Sequence, residues 1–207
     1  MPQPIRIAVL LSKSGTSLQN LIDRIADGRL NAQIVAVVSN NTEAYGLKRA
    51  RLANIPALAV LRKECPSVSE FSTRIFDHCR SAKAELVCLA GFLQLIEVPS
   101  DFQGRTMNIH PALIPSFCGK GLYGHHVHES AIATGVKVSG CTVHFVDNEY
   151  DHGPIIMQRT VEVRDDDTAD TLAGRVFEAE CEAYPEAIRL FAEGKLKIAE
   201  RRVRVSI

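Results

Sequence analysis

Residues 5–11, Ile-Arg-Ile-Ala-Val-Leu-Leu, form a nearly unbroken apolar run. It gives way to the polar stretch Ser12-Lys13-Ser14-Gly15-Thr16-Ser17 and then to Leu18, Leu21, Ile22 and Ile25 at helical spacing. A run without alternation is what a strand shows when both faces of a parallel sheet are covered, and the periodic stretch behind it makes a helix that Gly28 ends. The theme repeats: strands are predicted at 34–38, 57–60 and 85–90, and helices at 43–53 and 68–81. Parallel strands joined through helices cross over right-handedly, so the fold class is α/β, a single Rossmann-like doubly wound domain. Ligands are expected beyond the carboxyl ends of its strands.

The second half changes character, with a short strand at 106–109, a long one at 136–146 and a partner for it at 160–163, which makes the sheet mixed but mostly parallel. Thr168 is placed to cap a closing helix with Leu172, Val176, Ala179 and Ala183 on one stripe; Gly194 ends it and Pro185 is expected to kink it. The 207 residues, 46% hydrophobic, suit one domain. Its N-terminal half, about 1–100, is expected to bind phosphate, and its C-terminal half, about 101–207, to carry the catalytic groups. Lysine plus arginine equals aspartate plus glutamate at 24 each, so no global field favours nucleic acid or a membrane, and neither is an expected partner. Six cysteines without a CxxC pair, and no signal-like segment before Ile5, point to the cytoplasm; Cys88 and Cys141 lie in apolar runs and read as core residues.

Chemistry concentrates in Asn108-Ile109-His110-Pro111 and Asp151-His152-Gly153-Pro154, at two candidate strand ends. An amide can donate to a developing oxyanion, an imidazole can move a proton near neutral pH, and a carboxylate can hold that imidazole charged and oriented. Taken singly, each fits ordinary strand-end or turn chemistry; taken together they suffice for acyl transfer. Alternation puts His144 on the face opposite Cys141 and Phe145, where it either supports the active histidine or packs in the sheet. Gly15, Thr16 and Ser17 sit where the N–H groups of a helix start meet the positive end of its dipole, an anion site of monophosphate size, with a plain helix cap as the other reading. Lys13 either assists there or is solvated.

Cys118, His125, His126 and His128 fall in a glycine-rich stretch, 116–128, without the spacing of a zinc site, so a mobile surface loop and no metal are expected. The Asp165-Asp166-Asp167 run reads as a solvated loop, and the tail over 195–204 as a charged edge.

Six blocks occur in order: Ser14-Gly15-Thr16-Ser17-Leu18-Gln19, Ala44-Tyr45-Gly46-Leu47, Leu89-Ala90-Gly91-Phe92, Asn108-Ile109-His110-Pro111, Thr142-Val143-His144-Phe145-Val146 and Asp151-His152-Gly153-Pro154. From about Ile5 to about Gly194 the chain resembles the phosphoribosylglycinamide formyltransferases, and ordered blocks are more specific than any one of them. The resemblance implies a cytoplasmic transferase of purine biosynthesis and one-carbon metabolism, monomer or homodimer. It would carry the formyl group of 10-formyltetrahydrofolate, as co-substrate, to the amino group of 5-phosphoribosylglycinamide without a metal.

Carried over by the resemblance, the C-terminal half is the folate-binding one, Gly15, Thr16 and Ser17 hold the substrate phosphate, Glu180 the sugar or glycinamide, and Phe177 lines that pocket. Leu93, Gln94, Leu95 and Ile96 flank the pterin, while Asp147, Asn148, Glu149, Tyr150 and Asp151 form its other wall; Asn108 belongs to both the folate-binding and the catalytic set. The amine attacks directly, Asn108 donates to the oxyanion, a protonated His110 serves that oxygen or the leaving nitrogen, and Asp151 raises the imidazole's pKa. Two departures stand out: the 116–128 loop is longer than in many members, and an arginine found near 67–69 is absent, leaving Val68, with Arg62 or Lys63 as substitutes. A formyltetrahydrofolate hydrolase is the nearest competitor, but those resemble this domain behind a regulatory module and carry a second histidine where Pro111 stands. An initiator-tRNA formylating enzyme would add a basic C-terminal domain, so the extent of the chain is expected to decide against both. A non-catalytic nucleotide-binding module would bind a phosphate ligand without turnover.

Overall fold

The apolar run at the start is strand β1 (Ile5–Leu11), buried on both faces along nearly its whole length. In the computed structural model, which describes residues 3–206, it lies between two parallel neighbours, β2 (Ala32–Ser39) and β4 (Leu86–Leu89), in registers that include Leu11↔Ser39 and Leu10↔Leu89. β3 (Ala57–Ala59) flanks β2 on the other side, again parallel. The described residues gather into two compact units, the first running to Met107 and including Val146–Asn148, the second made of Asn108–Phe145 with the residues from Glu149 onward.

In the first unit the helices α1 (Thr16–Ala26), α2 (Tyr45–Leu52) and α3 (Val68–Ser81) connect the parallel strands, and the order β3-β2-β1-β4 reverses direction between β1 and β4. A reversal of that kind opens a crevice at the carboxyl ends of the two strands. α3 begins where the sequence predicts, with the Ser67 hydroxyl accepting from the Glu70 N–H, an N-cap. Its apolar stripe, Phe71, Ile75, Phe76 and Cys79, is fully buried, Phe71 stacking on Phe92 and Phe76 tilting against Phe102. α2 starts at Tyr45 rather than at 43, because Asn41 takes the Glu43 N–H into a turn first.

β5 (Thr106–His110) leaves the first unit after two residues and enters the second. There the order continues through β6 (Val138–Phe145), β7 (Ile155–Glu162), β9 (Arg202–Val205) and β8 (Leu196–Ala199), with β6–β7 and β8–β9 antiparallel and β7–β9 parallel. The sheet is therefore mixed and mostly parallel, as expected. α4 (His125–Thr134) and the long α5 (Ala169–Ala192) complete the unit. Thr168 caps α5 through a capping box with Thr171, and the helix runs on through a buried Pro185.

Three expectations need correction. The partner of β6 starts at Ile155, not at 160, because the apolar pair behind Gly153-Pro154 already belongs to the ladder. The stretch 116–128 is not all loop: His125 opens α4 and His128 is buried in it. Asp167 is not solvated, since its side chain, 3% exposed, accepts from the Arg175 guanidinium, the Arg164 N–H and the Thr171 hydroxyl, which bolts the entry to α5.

Candidate active site

Asn108 and His110 are two residues apart on β5, so both project from the same face, and His144 comes from the neighbouring β6. A register irregularity between Val143 and His144 in the β6–β7 pairing falls beside this histidine, and such bulges re-aim side chains next to sites. Asp151 reaches the group from the connection between β6 and β7, at φ 51, a backbone conformation that costs a non-glycine residue about 1–2 kcal/mol. The four side chains converge: the Asn108 amide nitrogen is 3.2 Å from His144 Nε2 and 3.4 Å from Asp151 Oδ1, while His110 Nδ1 and His144 Nε2 are 3.7 and 3.8 Å from the same oxygen.

The partners fix the proton positions. His144 Nδ1 faces the carbonyl of Phe145 at 2.8 Å, an acceptor only, so that nitrogen carries a hydrogen, and Nε2 faces the Asn108 amide and Asp151. His144 thus both packs in the sheet and orients the amide. His110 Nε2 faces the Phe117 carbonyl at 2.9 Å and must be its N–H side, leaving Nδ1 towards Asp151. At 3.7 Å that approach is an electrostatic contact and not a hydrogen bond. The other carboxylate oxygen of Asp151 accepts the Gly119 N–H at 2.9 Å.

Burial is the largest influence on His110 and lowers its pKa; Asp151 and the Phe117 carbonyl work the other way without overcoming it. Asp151 thus acts on the imidazole in the expected, raising direction, but burial is the larger influence and the net shift is downward. For Asp151 itself burial acts to raise the carboxyl, and the two imidazoles with the Gly119 N–H outweigh it, holding the group below the usual carboxylate range.

The backbone from Ala112 to Ile114, directly behind His110-Pro111, is held by a single hydroxyl. Thr142, fully buried two residues before His144, donates to the Ala112 carbonyl and accepts from the Ile114 N–H and from the amide of Gln158, which also donates to the Ile114 carbonyl. Phe177 and Glu180 lie on α5 in this unit. Glu180 keeps part of its surface exposed, yet burial of its carboxyl pushes the pKa up to about 8. Of the predicted folate wall, Glu149 and Tyr150 are exposed residues of the second unit, whereas Asp147 and Asn148 belong to the first, where Asn148 accepts the Val98 N–H.

In the first unit the turn after β1 and the segment after β4 adjoin: the Ser12 N–H donates to Gly91, and the Ser12 hydroxyl accepts from the Leu93 N–H. Leu93, Gln94 and Leu95 are half-buried, while Ile96 is committed to the core. Gly15 stands at the N-cap of α1 in the left-handed conformation with no side-chain cap, so the first N–H groups of Thr16 and Ser17 are left for another acceptor. A Cβ at Gly15 would come within 2.7 Å of the Gly46 backbone, which is why glycine stands there. Arg49 donates to the Ser14 carbonyl and to Gln19, bringing a guanidinium to this turn. Arg62 is spent on the Cys65 carbonyl, and Lys63 is exposed.

Sequence reasoning missed Arg49, Thr142, Gln158, Phe117 and Gly119. The last two act through their backbones, which no residue pattern advertises, and Thr142 was legible only as the neighbour of His144 on its face of the strand.

Residues 5–188 match the formyl transferase family profile. A phosphoribosylglycinamide formyltransferase of Haemophilus influenzae is 37% identical over 197 residues, 94% of this chain and 91% of that protein. The trifunctional purine biosynthetic protein adenosine-3 of Drosophila pseudoobscura pseudoobscura is 41% identical over 93% of this chain, which spans only 14% of that relative's length. Among solved structures, glycinamide ribonucleotide transformylase 1 from Symbiobacterium toebii superposes with a TM-score of 0.92 at 42% identity, covering 100% of this chain and 96% of that one. A family match over most of the chain, joined to a relative aligned over nine-tenths of both proteins, shows that the chain belongs to the formyl transferase family.

Proposed function

We propose that this protein transfers the formyl group of 10-formyltetrahydrofolate to the amino group of 5-phosphoribosylglycinamide, a step of purine biosynthesis. The observation that carries the reading is the convergence of Asn108, His110 and His144 on one oxygen of Asp151, at 3.4–3.8 Å, in a chain whose family performs formyl transfer. The amine lone pair forms the new C–N bond while the carbonyl π pair moves to oxygen. Asn108 meets that oxygen with the N–H that now points at Asp151, the longer and weaker of its two bonds. As the imidazolium, His110 gives its Nε2 proton to the oxyanion or to the folate nitrogen, exchanging the Phe117 carbonyl for the reacting group and ending as a neutral ring; the oxygen pair then returns and the carbon–nitrogen bond to folate breaks. Asp151 favours the imidazolium before that transfer and accepts the proton lost by the amine, directly or through water.

The Gly15, Thr16 and Ser17 turn suits the substrate phosphate because it offers uncapped N–H groups with Arg49 beside them. A carboxyl held protonated near neutral pH lets Glu180 both donate to and accept from a sugar hydroxyl or the glycinamide, with Phe177 three residues before it lining the same place. Within the first unit, the half-buried Leu93, Gln94 and Leu95 would offer the pterin apolar surface and backbone groups for its edge. The reading includes a cytoplasmic setting; all six cysteines are free thiols, and among the described residues no helix is long and apolar enough to cross a membrane. The test is an absorbance assay with 10-formyltetrahydrofolate, run with and without phosphoribosylglycinamide. Turnover that needs the amine supports the transferase, equal turnover in water alone replaces it with a hydrolase, and binding without turnover leaves a ligand-binding module.

A further inference from the structure

We propose that Arg201 is a positioning residue for Asp151. The inference rests on the transferase reading for its catalytic consequence, although the geometry stands without it. Arg201 occupies the two-residue tip between β8 and β9, a tight hairpin closed by the pair Ala199↔Arg202 and made possible by Glu200 at φ 55. The parallel pair Ile155↔Arg202 sets this tip beside the residues that precede β7, which are those carrying Asp151. Arg201 Nη2 donates to the carbonyl of His152 at 2.8 Å, and Nη1 meets the His152 imidazole. His152 Nδ1 also lies 4.0 Å from a carboxylate oxygen of Glu149.

Asp151 is thereby fixed from two directions: the Gly119 N–H holds its carboxylate, and Arg201 holds the carbonyl of His152, the residue that follows it. Without the second hold, the left-handed φ of Asp151 is free to relax and its carboxylate to leave the oxygen position shared by Asn108, His110 and His144. The planar fork explains the residue type, since it reaches a carbonyl and a ring together where an ammonium would serve one.

The experiment compares R201A, R201K and the hairpin control R204A with the unmodified protein. The first readout is NMR titration of the His110 imidazole, which is independent of activity. The charged and titrating groups around that ring are Asp151, His144 and His128, and Asp151 is the one that favours its charged form. R201A is expected to lower the His110 pKa, R201K to recover part of the loss, and R204A to leave it unchanged. The second readout is turnover: R201A should lower kcat by about tenfold or more, with KM for phosphoribosylglycinamide within about twofold and the upper pH limb of kcat moved to lower pH. An unchanged His110 titration in R201A overturns the proposal, as does a kcat within about twofold of normal. If R201A does not fold, R201K decides by the same titration. A protein that shows the titration shift but no formyl transfer would overturn the functional reading alone.

Discussion

His110 and Asp151 are each pulled two ways, and the balance sets what substitution should do. Burial lowers the imidazole's pKa while Asp151 supports its charged form, so Asp151→Asn removes the support and keeps the burial. The expected outcome is a fall in kcat of about 10²–10⁴-fold with the fold retained, and a further drop of the His110 pKa; steady-state kinetics and histidine NMR check it. His128 offers a separate test. Its Nδ1 has no hydrogen-bond partner among the described residues, and burial first, with the charges of His125 and His110 adding, lowers its pKa from 6.5 to about 4. The unfolded chain therefore takes up a proton that the folded one refuses: the contribution is complete above about pH 6.5 and disappears as the pH falls towards 4. Between pH 7 and pH 5 the protein should lose about 2 kcal/mol more stability than His128→Leu, measured by urea unfolding; parallel slopes would refute this.

The β6–β7 pair and the entry to α5 carry the second unit. Gly140 lies on β6 where a Cβ would stand 2.0 Å from the Arg159 carbonyl of β7, so Gly140→Ala must push the strands apart. A loss of about 1–3 kcal/mol is expected, visible as a lower Tm, and an unchanged Tm would mean that the ladder yields without cost. Gly15→Ala meets both a positive φ and the Gly46 backbone, and it should weaken phosphate-ester binding as well as stability, which calorimetry with phosphoribosylglycinamide can read.

These elements also show what was legible in advance. α3 was readable to the residue, because Ser67 caps it and Phe71, Ile75 and Phe76 repeat at helical spacing. The start of β7 was not, since Asp151-His152-Gly153-Pro154 signals a turn and hides the strand that begins directly after it. α4 was hidden for the opposite reason: its first turn comes after Gly119, Gly121 and Gly124, all at positive φ, and no apolar period precedes it. Asn108, His110 and Asp151 could be picked by residue type, but the backbone groups of Phe117 and Gly119 that saturate them could not, because any residue supplies a carbonyl and almost any an N–H.

Taken as one polyelectrolyte, the protein carries 24 basic and 24 acidic residues and has no net charge at pH 7 with its histidines neutral. Copies therefore lack mutual repulsion there, and the second virial coefficient should be lowest near pH 7 and more positive at about pH 8.5; light scattering across that range checks it. On the proposed function the same balance would leave recognition of the phosphate ester to local features such as the α1 terminus and Arg49, so moderate salt should weaken its binding only modestly.

The stretch 117–119 touches His110 through a carbonyl and Asp151 through an N–H, both from the main chain. Drift in the side chains at 117 and 118 is therefore nearly silent to those two contacts as long as the turn keeps its shape, and evolution can rewrite the lettering of this loop while leaving its grip intact. Cys118 sits between the two contacts with its thiol partly accessible, so a spectroscopic label there would sense the grip loosening without replacing either of the groups that form it.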